Sequence, residues 1–408
     1  MSIKNSLYSI ITIVLLSFVS SYSQSLLGMQ YPFGIPNQAG TGPSLSMGGT
    51  GIGVSNDYLG MAENPANLGA INRAIFSVHG SLDFTNLKEG GKETNHLVFN
   101  PHILSFCVPI KKFGTLGFSI TQSANADAKY MIEESISTEE ATESAKVGLT
   151  RKGSMSIWRA GWGYDIKRYA KIGLAYQRIY FNPITEKRKV IEGTINGKLL
   201  DSTAISFAGN SISGGVQVPI KKITLGMSGQ YFFESDANIR ENVNNTTIDD
   251  LLEDKPRNYS YTMRPAPTIG FGASYQISPE WLCAADFETE IWNKYISQGS
   301  EKVDNAFGFS VGGQYIPAPN LLTPKYYEIM QYRAGFRFNQ LPVSTASEFG
   351  ISLGVGLPLR QGGGLFDVFF EYGQRWDSNY KNNKEEFFKI QLGINAGRKW
   401  FQTTDTNY

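Results

Sequence analysis

Phe349-Gly350-Ile351-Ser352-Leu353-Gly354-Val355-Gly356-Leu357 alternates without interruption. Phe349, Ile351, Leu353, Val355 and Leu357 fall on one side, and Gly350, Ser352, Gly354 and Gly356 on the other. Successive side chains of an extended chain point to opposite faces, so this period of two specifies a strand with one apolar and one small, polar face. The same grammar recurs on either side. Tyr332, Ala334, Phe336 and Phe338 oppose Arg333, Gly335, Arg337 and Asn339. Phe366, Val368, Phe370 and Tyr372 oppose Asp367, Phe369, Glu371 and Gly373, and Phe388 to Ala396 oppose Lys389 to Gly397. Residues 261–275 carry the longest run, from Tyr261 to Tyr275 on one parity and from Thr262 to Ser274 on the other.

Runs of this length exceed the roughly 5–6 residues of an ordinary soluble strand. They match the roughly 9–11 residues of a tilted strand that crosses a bilayer. An arginine on the lipid side near the midplane would cost about 2–4 kcal/mol. Arg264, Arg333 and Arg337 are therefore expected to point into a lumen. Strands are predicted near 73–85, 95–109, 114–126, 153–165, 171–181, 203–218, 223–235, 260–276, 281–290, 304–316, 326–339, 344–357, 364–376 and 385–401. That makes a fourteen-stranded antiparallel transmembrane β-barrel spanning 73–401, with a periplasmic tail at 402–408. Short and long connections alternate, as they do in outer-membrane barrels; the exception is 317–325, longer than the turn at 340–343. The long stretches 126–153 and 236–258 read as surface excursions able to carry short helices. Val108-Pro109-Ile110-Lys111-Lys112 is echoed by Val218-Pro219-Ile220-Lys221-Lys222, which marks equivalent periplasmic turns.

Composition agrees with that reading. Of 408 residues, 43 are Gly, 25 Phe and 21 Tyr, against 3 His and 2 Cys. A formal net charge of +1 offers no basic surplus for a nucleic-acid partner. Residues 1–23 combine Lys4, an apolar stretch from Leu7 to Val19 and small residues before a cut after Ser23, which reads as a signal peptide for export to the outer membrane. His79, His96 and His102 lie on the first two strands without acidic or Cys partners at metal spacing, and Cys107 and Cys283 sit apart. Neither a metal, a cofactor nor a catalytic constellation is expected, so the chain does not read as an enzyme.

Residues 24–72 break the alternation. They contain Ser46-Met47-Gly48-Gly49-Thr50-Gly51, Asp57, and then Asn64-Pro65-Ala66-Asn67-Leu68. No strand precedes these glycines and no Lys-Ser/Thr follows, which disfavours a phosphate loop. The segment resembles the N-terminal region of the FadL/TodX-like outer-membrane transport proteins, in which a Met-Gly-Gly stretch and an Asn-Pro-Ala motif precede the first strand. Phe387-Phe388-Lys389-Ile390-Gln391-Leu392-Gly393 resembles the closing strand of such barrels in Bacteroidetes-type bacteria. The resemblance implies an N-terminal lumenal hatch, with Gly48, Gly49, Asn64, Pro65 and Ala66 as gating positions. It also implies transport of hydrophobic or amphipathic small molecules, such as long-chain fatty acids. PorV-like barrels share these motifs, so the alternative is a component or cargo shuttle of a protein secretion system, with secretion-machinery proteins as partners beside outer-membrane lipid.

Two sets of inward charges are also legible. Arg264 is expected to face Asp286 and Glu288, and Asp367 and Glu371 to face Lys389. They form either a lumenal salt-bridge network or, through Arg264, Arg333 or Arg337, a bidentate seat for the carboxylate of a ligand.

Overall fold

The computed structural model describes residues 33–38, 40–89, 92–137, 142–192, 197–245, 256–292, 304–342, 346–359, 363–378 and 384–398. The expected leader at 1–23 and tail at 402–408 lie outside them. Fourteen strands make the barrel wall. In chain order they are β2 (Ala74–Glu89), β3 (Lys92–Ile110), β4 (Gly114–Asn125), β7 (Ser154–Asp165), β8 (Lys171–Phe181), β10 (Gly197–Ile220) and β11 (Ile223–Phe232). They continue with β14 (Thr268–Gln276), β15 (Trp281–Glu290), β16 (Ala306–Tyr315), β17 (Gln331–Gln340), β18 (Ala346–Pro358), β19 (Gly364–Asp377) and β20 (Lys384–Arg398). Neighbours pair antiparallel throughout, and β2 closes on β20 from Ala74↔Arg398 to Lys88↔Lys384. Closure leaves no edge of this wall exposed to lipid.

The alternation predicts the faces correctly. Leu353 is 60 % exposed on the outside while its neighbour Ser352 is 2 % exposed inside. Outward aromatics gather at the short-turn rim, where Trp162 stacks on Tyr164 and the rings of Trp281 and Tyr315 lie 4.5 Å apart. Such a girdle places amphipathic rings at the lipid–water interface.

Among the described residues, the stretches 126–153 and 236–258 form strands and no helix. Six strands form a sheet above the barrel: β5 (Ala128–Ser137), β6 (Thr142–Lys152), β9 (Ile184–Glu192), the first half of β10, β12 (Ser235–Asn245) and β13 (Arg257–Met263). β10 serves both layers: residues 211–220 pair with β11, and 199–207 pair with β12.

Two further expectations need correction. The strand foreseen at 260–276 is interrupted at 264–267. Pro265 and Pro267 have no N–H to give to a ladder, so the chain leaves the sheet there. Residues 326–329 form a short helix, α2 (Tyr326–Ile329), inside the one long connection on the short-turn rim.

Residues 33–72 run across the barrel interior. They comprise β1 (Ile35–Pro36), paired with β4 at Ile35↔Asn125, the helix α1 (Gly42–Leu45), and a 3-10 turn over Pro65–Ala70. Met47, Leu59, Met61, Ala66 and Leu68 are all buried.

Candidate functional site

The N-terminal segment is seated on glycines. At successive inward positions of the wall the absent Cβ leaves room for main chain. A Cβ on Gly173 of β8 would lie 2.1 Å from the Pro65 carbonyl oxygen, and one on Gly226 of β11 2.0 Å from that of Ile52. On Gly335 of β17 it would meet the Gly48 nitrogen at 2.1 Å, and on Gly312 of β16 the Met47 oxygen at 2.3 Å. The Gly-rich inward face legible in the sequence is thus a docking surface.

Hydrogen bonds fix the segment at this level. Gly42 N–H donates to His79 Nδ1 of β2 at 3.0 Å; Nδ1 therefore carries no proton, and Nε2–H points to Asn395 Oδ1 at 3.1 Å. Gln217 of β10 donates to the carbonyls of Ile52 (3.0 Å) and Val54 (2.9 Å) and to Asn67 Oδ1 (2.7 Å). Ser274 of β14 donates to Gly53 O at 2.8 Å, and Gly48 N–H donates to Ser352 Oγ of β18 at 3.0 Å. Asp286 of β15 accepts from the N–H groups of Gly51 (2.6 Å) and Ile52 (2.8 Å).

The motif positions have distinct structural tasks. Asn64 caps the 3-10 turn: its Oδ1 accepts from Ala66 N–H at 2.9 Å, and its Nδ2 donates to Ile52 O at 2.9 Å. Pro65 supplies the fixed φ suited to a first helical position. Gly48 and Gly49 sit at φ of 73° and 95°, a region that side chains with a Cβ rarely enter. His102 bonds Ser81 Oγ at 2.9 Å, away from His79's partners. Among the described residues no three His, Cys, Asp or Glu side chains converge as metal ligands.

Above the segment lies a cavity of about 310 Å3. Its floor is Gln38, Gly48, Gly49, Ile52 and Glu63 of the segment. One flank is apolar, with Ile157, Phe232, Ala266 and Trp292. Phe33 enters it from the start of the segment, its ring 5.2 Å from Phe181 and 6.0 Å from Trp292. The lining is also acidic: Asp286, Glu288 and Glu290 share the inward parity of β15 and all line the space. Glu290 accepts from Trp292 Nε1 at 2.6 Å. Glu288 is exposed to the cavity and makes no ion pair among the described residues. Glu63 accepts from Thr41 N–H at 3.0 Å. Burial pushes its carboxyl up to about 6, against the opposing pull of Thr41 and of the Arg159 charge.

The three arginines singled out in the sequence do not converge. Arg333 and Arg337 are buried inside the barrel, as expected. Arg333 pairs with Asp367 at 2.6 Å and donates to Gln314 at 2.9 Å. Arg337 pairs with Glu348 and, at 2.6 Å, with Glu371. Arg375 also reaches Glu348, with Glu385 at 3.5 Å, and Lys389 sits 3.4 Å from Glu371. This is the lumenal salt-bridge network, with one difference from the expected pairing: Glu371 faces Lys389, but Asp367 stands opposite Gly393 and pairs with Arg333. Of the three arginines only Arg337 lines the cavity. Arg264 does not face Asp286 and Glu288. It lies in the proline break, where its guanidinium meets Tyr231 Oη at 3.2 Å and the exposed Glu234 at 3.3 Å.

A plugged fourteen-stranded barrel of this form can be set against known proteins. A family model described as BamG matches residues 3–407. The chain belongs to the BamG family. No curated protein matches the sequence significantly. Among solved structures, this BamG-family chain is similar to a Pseudomonas aeruginosa FadL homologue, with a TM-score of 0.63 and 12 % identity over 90 % of this chain and 99 % of that one. It is similar also to the Pseudomonas putida toluene transporter TodX, with a TM-score of 0.59 and 14 % identity over 90 % of this chain and all of that one. At such identities the likeness establishes the FadL/TodX fold, and together with the BamG-family match it gives an outer-membrane barrel.

The segment's grip gives a first prediction. Asp286→Asn should weaken two charge-assisted bonds, worth about 1.5–3 kcal/mol each. Residues 40–72 should then become protease-sensitive in folded protein at a dose that spares the wild type. Equal protection in both proteins would remove Asp286 from the docking account.

Proposed function

We propose that this protein is an outer-membrane channel for an amphipathic small molecule, held in the lumenal cavity and released when residues 24–72 move as a hatch. The observation that carries the proposal is the cavity itself. Its volume is at the lower end of the roughly 300–1,000 Å3 of small-molecule sites. Its lining joins aromatic and aliphatic side chains to a row of carboxylates. Burial of an apolar body against Phe33, Phe232 and Trp292 would supply the driving force, about 25 cal/mol per Å2. Gly48, Gly49, Asn64, Pro65 and Ala66 lie where the segment turns or meets the wall, and a rearrangement there would open the path.

The polar end of the ligand follows from the charges left unmatched. Of the two described cations that line the cavity, Arg337 is matched by Glu348 and Glu371 and Arg159 lies toward Glu63, so neither has much to offer a fatty-acid carboxylate. Glu288, by contrast, faces the cavity without a cation among the described residues. The site therefore favours a head that donates hydrogen bonds, an amine or a hydroxyl, over a carboxylate. The test is a titration of the barrel in nanodiscs with a long-chain alkylamine, alcohol and carboxylate of equal length. The amine should bind best, and Glu288→Gln should weaken it by roughly tenfold, the loss of one bond to a charged group. Preferential binding of the carboxylate, or no binding of any of them, would reject the site as described.

The sheet above the barrel supports the alternative, a partner-binding role in protein secretion. β13 pairs only with β12 among the described strands, and a free strand edge can accept an added strand. Replacing residues 235–263 by a short turn would abolish co-isolation of a protein partner in that case, while leaving ligand binding intact.

A further inference from the structure

The repeated Pro-Ile-Lys-Lys motif has no task in the plug or the cavity. The fold sets its two copies near each other. The β3–β4, β7–β8 and β10–β11 turns follow one another along the short-turn rim, because β4 pairs with β7 and β8 with β10. Neighbouring turns are two strand spacings apart, about 10 Å. Together they present Lys111, Lys112, Lys167, Arg168, Lys221 and Lys222, all exposed. The one carboxylate on these turns, Asp165, stands opposite Lys171 in register. Six cations thus occupy one arc of a chain whose formal net charge is +1.

The backbone adds an independent observation. Three described non-glycine residues have a positive φ: Lys111 at 23°, Lys167 at 52° and Lys221 at 56°. Each begins one of these three turns. Glycine or asparagine enters that region with less strain than lysine does. Lysine at all three places means that a cationic side chain is held there against a local conformational cost, a mark of function more than of turn-making. The turns are also tied to the interface: Trp162 Nε1 donates to the Phe113 carbonyl at 2.6 Å, and Phe113 and Tyr169 are 76 % and 63 % exposed. Arg168 lies 5.0 Å from the centre of the Tyr169 ring.

We infer that this arc binds the anionic headgroups of phospholipids in the periplasmic leaflet of the outer membrane. The short-turn rim faces the periplasm, and the aromatic girdle beside it sets the headgroup level. Lysines there meet phosphate at the edge of the lipid layer while Phe113 and Tyr169 enter it. Basic residues next to an anionic leaflet bind it in a manner that salt weakens.

The test uses the full barrel in nanodiscs of equal phosphatidylglycerol and phosphatidylcholine, with retained lipid read by native mass spectrometry. The wild type should retain phosphatidylglycerol preferentially. Lys111→Asn/Lys167→Asn/Lys221→Asn keeps residues suited to positive φ and should reduce that preference by roughly tenfold or more. Lys111→Arg/Lys167→Arg/Lys221→Arg keeps the charge and should retain the preference, which separates lipid binding from turn geometry. Equal retention of the two lipids by wild type, or an unchanged preference in the asparagine variant, would overturn the inference. So would loss of a co-isolating acidic protein, instead of lipid, from the asparagine variant.

Discussion

Gly173→Val combined with Gly226→Val should convert a closed barrel into a conducting one. Both positions face main-chain oxygens of the plug: a Cβ would stand 2.1 Å from Pro65 O at one and 2.0 Å from Ile52 O at the other. Neither carbonyl can swing aside as a flexible side chain would, so the segment or the wall must shift. Overpacking of this kind costs about 1–3 kcal/mol per site. The wall has a continuous ladder of paired strands behind it, whereas the segment is held mainly by isolated side-chain hydrogen bonds, most worth about 0.5–1.5 kcal/mol net and the two to Asp286 about 1.5–3 kcal/mol each. The segment should yield. In planar bilayers the double variant should show steady conductance that the wild type lacks, and residues 40–72 should become accessible to protease. Gly313→Ala is the control: its Cβ would be 3.5 Å from the nearest atom, Leu282 O, and the variant should behave as wild type. A double variant that stays closed, with the segment still protected, would show that these glycines do not set the plug's position.

How much of this was legible beforehand depends on what alternation can encode. It encodes faces, so the wall, its strand count and the inward placement of Arg333 and Arg337 follow from the sequence. It does not encode which strands belong to the membrane. The β12 strand, Ser-Asp-Ala-Asn-Ile-Arg-Glu onward, has no lipid face to maintain, and its polar residues resemble a loop. Nor does parity register a missing donor. Residues 261–275 alternate through Pro265 and Pro267, and the break there carries Arg264 away from Asp286. The break itself is legible, since two prolines separated by one residue argue against a central strand. The site was harder. Phe181 and Phe207 share the inward parity of Gly173 and Gln217, yet parity does not say what covers them, and both are fully buried. Their burial depends on Phe33, a residue far away in the chain. Glu288 is legible as an inward acid, but that no described cation pairs with it depends on Arg264 lying elsewhere, beside Glu234. The glycines were visible too; recognising them as a seat required knowing what approaches them.

The buried ion network should respond sharply to the loss of one carboxylate. Arg337, Arg375 and Lys389 face Glu348, Glu371 and Glu385, three cations against three anions in the barrel interior. Glu348 is the hinge of the set, because both arginines reach it. Glu348→Gln keeps the shape but leaves three cations against Glu371 and Glu385, with Arg375 holding only the longer 3.5 Å contact to Glu385. Breaking a buried pair on one side costs about 3–5 kcal/mol, since the surviving charge stays desolvated. Heat-modifiable gel mobility should therefore show the variant unfolding well below the wild type. The same reasoning predicts a rescue: Arg375→Met in the Glu348→Gln background removes the surplus cation and should restore much of the loss. Its flexible side chain can also cover the Phe387 ring, whose centre lies 4.6 Å from the native guanidinium. If the single variant unfolds at the wild-type temperature, or the second substitution deepens the loss, the network would be a set of separate contacts and charge balance would not govern the interior.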